Sequence, residues 1–75
     1  MTIHEHDLIV LTADIAAEGL KKGDVGTVVL VHKGGAGFEV EFIALDGTTL
    51  AVVTVPADDV RPVRAGEIAH ARKVA

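Results

Sequence analysis

The sequence contains no cysteine, tyrosine or tryptophan, and only two phenylalanines. Without cysteine, the chain can form neither a disulfide framework nor a thiolate metal site. No apolar run exceeds the four residues of Val28–Val31, whereas a membrane helix needs about 20. The polar, acidic N-terminus also lacks the basic start and the apolar stretch of a signal peptide. We therefore expect a soluble, cytoplasmic protein that does not enter a membrane.

Charge is distributed unevenly along the chain. Residues 1–60 carry three lysines against ten acidic residues, whereas residues 61–75 carry four basic residues against one glutamate. An acidic body argues against broad nucleic-acid binding, because neutralising phosphates requires a basic face. Since 75 residues are enough for one core only, we expect a single domain at residues 1–64 and a basic C-terminal tail at residues 65–75.

The composition favours β-strands, because 17 of the 75 residues are Val or Ile and β-branched side chains suit a pleated sheet. Turn residues separate the apolar segments into five predicted strands, at residues 7–12, 25–32, 38–45, 48–55 and 61–64. Pro56 ends the fourth strand, and residues 57–60 suit a single 3₁₀ turn. The sequence thus predicts an all-β domain with one 3₁₀ turn before the last strand.

The dipeptide Asp46-Gly47 predicts a two-residue hairpin, because a type I′ turn needs positive φ at both central residues. This turn places Phe42 opposite Ala51 and Ile43 opposite Leu50. Because side chains alternate across a strand, one face of the hairpin is predicted to form the core. That face carries Phe38, Val40, Phe42, Ala44, Thr49, Ala51, Val53 and Val55.

The opposite face of the hairpin combines Glu39 and Glu41 with four large aliphatic side chains: Ile43, Leu45, Leu50 and Val52. The phenylalanine face already fills the single interior of a small domain. Covering the four aliphatic side chains with another chain is favourable, so we predict that they bind another protein or a second copy of the chain. The alternative is that the loop at residues 13–22 or the tail folds over them.

The order of these elements is that of SH3-like barrels, and the glycine turn and strand at Lys22–Val31 resemble a KOW-type element. The chain resembles more closely a family of small bacterial proteins labelled domain of unknown function 4926. The segments that carry this resemblance are Gly19–Val29, Phe38–Phe42, Asp46–Ala51 and Arg61–Val63. The resemblance implies a small five-stranded SH3-like barrel and a bacterial origin, and it brings no catalytic residues.

Two ligand classes are common on SH3-like barrels. Polyproline recognition needs an aromatic-lined groove, which cannot be built when both phenylalanines face the core. KOW-like binding of RNA or the ribosome is the alternative function, although the cluster lacks an aromatic residue for base stacking. It would use basic residues on neighbouring loops and near the C-terminus: Lys21, Lys22, Lys33, Arg61 and Arg64.

Motifs for metal, phosphate or catalysis are weak. His4-Glu5-His6 could put two imidazoles on one strand face, with His32 or His70 as a third ligand, but a solvated terminus is the commoner meaning of such a motif. The glycines at 34, 35 and 37 lack the Gly-Lys-Ser/Thr ending of a phosphate loop and suit a flexible turn. The paired acids Glu39/Glu41 and Asp58/Asp59 have the pattern of solvated charge.

We therefore expect no catalytic residues, no metal and no cofactor. The sequence favours a non-catalytic protein–protein interaction or accessory module that forms a homo-oligomer or binds a dedicated protein partner, with nucleic acid as a disfavoured partner.

Overall fold

The computed structural model describes residues 2–74, which form five β-strands and two 3₁₀ turns. The strands are β1 Leu8–Leu11, β2 Val25–His32, β3 Gly37–Ile43, β4 Thr49–Pro56 and β5 Val60–Pro62. The 3₁₀ turns lie at Ala16–Glu18, after β1, and at Ala57–Asp59, between β4 and β5. Met1 and Ala75, the outermost residues of the predicted domain and tail, lie outside the described residues. No helix within residues 2–74 is long and apolar enough to cross a membrane.

The five strands form one antiparallel sheet in the order β4-β3-β2-β1-β5. No ladder between β4 and β5 is formed by residues 2–74, so the barrel-like sheet stays open. The prediction of an all-β chain with five strands and a 3₁₀ turn before the last strand is confirmed. The observed strand limits differ from the predicted ones by no more than two residues.

One face of the curved sheet, the inner face, holds the hydrophobic core. Side chains that alternate along β1, β2, β3 and β4 point into it, and Leu20 from the loop after β1 is buried with them. Complete burial of an aliphatic or aromatic side chain contributes about 1.5–3 kcal/mol, so these positions dominate the stability of the domain. The core consists of Ile9, Leu11, Leu20, Val28, Phe38, Val40, Phe42, Val55 and Val60.

Gly26 of β2 is buried against two core side chains, Val40 and Phe42. A Cβ atom at this position would lie 2.5 Å from Val40 Cγ1 and 2.8 Å from Phe42 Cε1. Both distances are too short for carbon atoms in contact. The missing side chain therefore allows Val40 and Phe42 to pack directly beneath the backbone of β2.

The hairpin between β3 and β4 confirms part of the predicted register and corrects the rest. Phe42 pairs with Ala51 as predicted, but Ile43 pairs with Thr49 instead of Leu50, because the register shifts at this point. Thr49 is consequently exposed, and its hydroxyl donates a hydrogen bond to Glu41 Oε2 at 2.9 Å. The assignment of Thr49 to the core face is therefore wrong.

The turn itself is longer than the predicted two residues. The Ala44 N–H donates to the Thr48 carbonyl at 2.7 Å, and the Gly47 N–H donates to the Ala44 carbonyl at 2.8 Å. Positive φ occurs at Gly47 and not at Asp46, which excludes a type I′ turn. The Asp46 carboxylate instead accepts the Thr48 N–H at 2.9 Å, a local bond that stabilises the three-residue turn.

The C-terminal segment after β5 is irregular up to residue 74 and is held against the domain by two ion pairs. Arg61 of β5 binds both carboxylate oxygens of Glu67, at 2.9 and 2.6 Å. The Arg72 guanidinium binds both oxygens of Asp24, just before β2, and donates to the Gly19 carbonyl at 3.2 Å. The segment thus reaches the loop between β1 and β2 and leaves the β3/β4 hairpin uncovered.

Candidate interaction surface

The face of the sheet opposite the core is the outer face, and the strand register shows which residues share it. One row of paired residues crosses four strands, from Leu8 through Thr27 and Glu41 to Val52. A neighbouring row crosses three strands, from Leu30 through Glu39 to Thr54. Polar side chains therefore occupy the middle of the first row, between Leu8 and Val52, whereas the second row is aliphatic only at its β2 end, Leu30.

The four aliphatic residues predicted to bind a partner are all exposed. The exposed fractions are 47% for Ile43, 43% for Leu50, 53% for Val52 and 89% for Leu45. Ile43, Leu50 and Val52 belong to β3 and β4, whereas Leu45 lies in the turn beyond β3. Within residues 2–74, neither the loop after β1 nor the C-terminal segment covers them. The alternative, that one of these two segments folds over the four side chains, is therefore wrong for the described residues. Together these four residues are called the hairpin patch.

Sequence reasoning missed the aliphatic residues that extend this surface across β1 and β2. The exposed fractions of these side chains lie between 41% and 54%. Alternation along β1 and β2 could have identified Leu8 and Val25, but a register shift between Val28 and Leu30 leaves Val29 and Leu30 both exposed. The residues concerned are Leu8, Val25, Val29 and Leu30.

The two glutamates of β3 are held by neighbouring side chains on the outer face. Thr54 donates its hydroxyl to the Glu39 carboxylate at 3.0 Å, and His32 Nε2 lies 3.1 Å from Glu39 Oε2. The hydrogen bond with His32, followed by that from Thr54, lowers the pKa of Glu39. Glu41 accepts the hydroxyl of Thr49. These hydrogen bonds therefore hold both carboxylates against neighbouring side chains on the outer face.

The lysines of the alternative RNA site do not form one cluster. Lys21 and Lys22 precede β2, whereas Lys33 follows it. Eight residues of β2 separate the two positions, which corresponds to about 26 Å at the usual rise of a strand. The expectation that these lysines lie on neighbouring loops is wrong, because an extended strand carries its two ends far apart.

Both arginines of that alternative site bind Glu67, Arg61 through its side chain and Arg64 through its backbone. The bidentate ion pair with Glu67 occupies the guanidinium of Arg61, and the backbone N–H of Arg64 donates to Glu67 Oε1 at 2.6 Å. The hydrogen bonds from Arg61 and Arg64 lower the pKa of Glu67 to about 2. Glu67 is therefore ionised near neutral pH and compensates the positive charge of Arg61.

The N-terminal histidines do not lie on a strand. Residues 5 and 6 form a turn, His6 has a φ of 74°, and the His6 N–H donates to the Val28 carbonyl at 2.7 Å. His4 and His6 therefore do not share one face of a strand, the arrangement on which a metal site at this motif would depend. His32 pairs with Glu39, and His70 lies exposed in the C-terminal segment. No cluster of three or more metal-ligating side chains occurs within residues 2–74.

The glycines at 34 and 35 form the turn between β2 and β3, as the sequence predicts. Gly34 and Gly35 have φ values of 67° and 107°. They line a depression of about 730 Å³ together with apolar side chains such as Phe38 and with the carboxylate-bearing Glu5. A carboxylate disfavours a bound phosphate because like charges repel, so the turn interpretation is favoured.

Comparison with known protein families identifies the family of this chain. Residues 5–62 match the family described as Domain of unknown function (DUF4926). The chain belongs to this family. The match covers all five strands and ends before the C-terminal segment, and it includes nearly all of the segments that carry the resemblance in the sequence. No curated protein and no solved structure matches the chain.

Proposed function

We propose that this member of the family is a non-catalytic protein–protein interaction module of the bacterial cytoplasm that associates through the outer face of its β3/β4 hairpin. The exposure of the hairpin patch carries this proposal: four large aliphatic side chains, each at least 43% exposed, belong to the turn end of the β3/β4 hairpin. Exposed apolar patches of this kind mark interaction surfaces.

The magnitude of the hydrophobic effect sets the size of the required contact. Complete burial of one aliphatic side chain contributes about 1.5–3 kcal/mol, and three residues of the hairpin patch are already about half covered. Each of these therefore adds about 1 kcal/mol when a partner covers it. Association itself costs about 4–15 kcal/mol. The patch must therefore act together with further contacts, such as the neighbouring aliphatic side chains of β2.

The alternative function, RNA or ribosome binding through basic residues, has less support. Lys21 and Lys22 are separated from Lys33 by the length of β2, and the guanidinium of Arg61 is paired with Glu67. Binding to a polyanion depends on many neighbouring cations that act together. The separated charges disfavour such a contact.

The proposal is tested by reversing the apolar character of the patch. The double variant Leu50→Lys/Val52→Lys is compared with the wild type and with Ala65→Lys/Ala69→Lys, which adds the same charge to the exposed C-terminal segment. Each protein is immobilised and exposed to a lysate of the native cell. The wild type and the control are expected to retain the same protein, and the patch variant is expected to lose it while keeping its urea midpoint within a small margin.

Two results would contradict the proposal. Equal capture by all three proteins would show that the hairpin patch is not the contact. Salt-sensitive binding of single-stranded RNA that is lost in Lys21→Glu/Lys22→Glu would instead support the alternative function.

A further inference from the structure

The two edges of the sheet differ in how well they are protected. β5 has three residues, one of them a proline, and its Arg61 binds Glu67 of the following segment. β4 has eight residues, Thr49–Pro56, and none of them is charged. Natural proteins protect exposed edges with short strands, charges or proline. The β4 edge has such protection only at its ends, through the register shift near Leu50 and through Pro56.

The hydrogen-bond pattern identifies the backbone groups of β4 that face outwards. The Ala57 N–H donates to the Ala36 carbonyl at 3.1 Å, just beyond the end of the ladder. Hydrogen-bonded and non-bonded pairs alternate in antiparallel strands, so Val55 and Val53 bond to β3, whereas Thr54 and Val52 direct their N–H and C=O groups away from β3. Pro56, which has no N–H, is paired with Gly37 and forms no backbone hydrogen bond with it in this alternation.

The outward groups of Val52 and Thr54 have no backbone partner elsewhere among residues 2–74. Their side chains lie on the outer face, opposite Glu41 and Glu39 respectively. The same stretch of edge therefore offers free backbone donors and acceptors next to the exposed Val52 of the hairpin patch. A partner that adds a β-strand would satisfy both features at once.

We propose that the partner is a second copy of this chain, joined through antiparallel pairing of β4 with β4 to form one continuous sheet across the dimer. This inference rests on the proposed function and specifies its partner. Antiparallel pairing of a strand with its own copy has two-fold symmetry, so it closes at two chains and leaves no repeated edge for further growth. The uncharged sequence of β4 places no like charges directly opposite each other.

The acidic charge of the protein does not oppose this arrangement strongly. Glu39 and Glu41 lie on β3, one strand behind the edge. Three strand spacings, or about 14 Å, would separate the glutamate-bearing strands of the two copies. That distance exceeds the screening length of about 8 Å at physiological ionic strength. Repulsion between the two sets of glutamates is therefore largely screened.

Amide hydrogen exchange of the full-length wild type tests this pairing directly. The protein is measured by NMR at high and low concentration, with sedimentation to follow its mass. The amides of Val52 and Thr54 are expected to be protected at least about tenfold more at the concentration that gives the dimer, because each gains a hydrogen bond there. Val53 and Val55 serve as internal controls, since their amides bond to β3 at both concentrations.

A matched pair of variants tests the same inference without altering the apolar patch. Thr54→Pro removes the outward N–H at a position where an edge strand tolerates proline. Thr54→Val removes the hydroxyl but keeps the N–H. Thr54→Pro is expected to raise the dimer dissociation constant by at least about tenfold, since two hydrogen bonds are lost per dimer, whereas Thr54→Val changes it by less than about threefold.

The outcomes separate this inference from the proposed function. A wild type that stays monomeric, or amides of Val52 and Thr54 that exchange equally fast at both concentrations, would overturn β4 pairing. The proposed function would still stand if the immobilised chain captured a different protein that Leu50→Lys/Val52→Lys loses. A dimer that Leu50→Lys/Val52→Lys dissociates but Thr54→Pro does not would place the contact on the face and not at the edge. If Thr54→Pro fails to fold, the exchange measurement alone decides.

Discussion

The inner and outer faces of the sheet both carry large hydrophobic side chains, but these side chains have opposite environments. Phe42 and Ile43 are neighbours in the sequence, yet Phe42 is 2% exposed and Ile43 is 47% exposed. Phe42 packs beneath the backbone at Gly26, whereas no loop or terminal segment among residues 2–74 covers the hairpin patch. Hydrophobicity alone therefore does not identify the core of a small domain. The elements that pack against each face determine which side is buried.

The largest test of this contrast is the pair of substitutions Phe42→Ala and Ile43→Ala. Phe42→Ala should lower the free energy of unfolding by about 3–5 kcal/mol, because it leaves a cavity in the core. That loss approaches the total stability of a small domain, about 5 kcal/mol at the lower limit. Ile43→Ala, on the exposed face, should lower it by about 1 kcal/mol or less. Urea denaturation followed by circular dichroism measures both values.

Equal losses for these two variants would contradict the assignment of the faces. The prediction applies to the monomer, so the measurement is made at a protein concentration low enough to prevent association.

A smaller loss of stability is expected at Gly26, where the backbone of β2 lies against Val40 and Phe42. Gly26→Ala should destabilise the domain by about 1–3 kcal/mol, because the new methyl group overlaps the side chains of Val40 and Phe42. Gly37→Ala is the control. Its Cβ atom would lie 3.3 Å from the Val55 carbonyl oxygen, a contact that a slight shift relieves. The shift in thermal midpoint should therefore be clearly larger for Gly26→Ala, and the reverse order would show that the packing around Gly26 is loose.

The smallest effect concerns ionisation on the outer face. Hydrogen bonds with His32 and Thr54 hold the pKa of Glu39 below its usual value of 4.5. Since the folded state favours the ionised form, this contribution to stability is present above pH 4.5 and is lost as the pH falls through the lowered pKa. Thr54→Val should raise the pKa of Glu39 towards the usual value in an NMR titration. Thr49→Val, which alters the contact of Glu41, should leave the titration of Glu39 unchanged.

Much of the fold could be predicted from local patterns. β2 has the predicted limits, and the pairing of Phe38 with Val55, of Val40 with Val53 and of Phe42 with Ala51 is confirmed. Alternating apolar residues and a glycine-containing turn are sufficient for these assignments, because the pleat of a strand repeats every two residues. The resemblance to the family is likewise confirmed by the match over residues 5–62.

The predicted turn and register are wrong where the backbone departs from that regular repeat. The turn at Asp46-Gly47 includes a third residue, and the register shift beside it moves Thr49 to the outer face. The shift in β2 similarly exposes Val29 and Leu30 together. The sequence pattern that favours an aspartate-glycine turn does not specify its length, because more than one turn conformation accepts glycine at a positive φ.

Residue type and alternation are sufficient to predict the β-strands, the phenylalanine face of the hairpin and the four aliphatic residues of its other face. What covers each face could not be predicted in this way, because it depends on contacts between residues distant in the chain. Arg72 binds Asp24 and so draws the C-terminal segment towards the loop before β2. The strand order likewise makes β4 an edge, because β4 pairs with β3 on one side and β5 lies at the other end of the sheet.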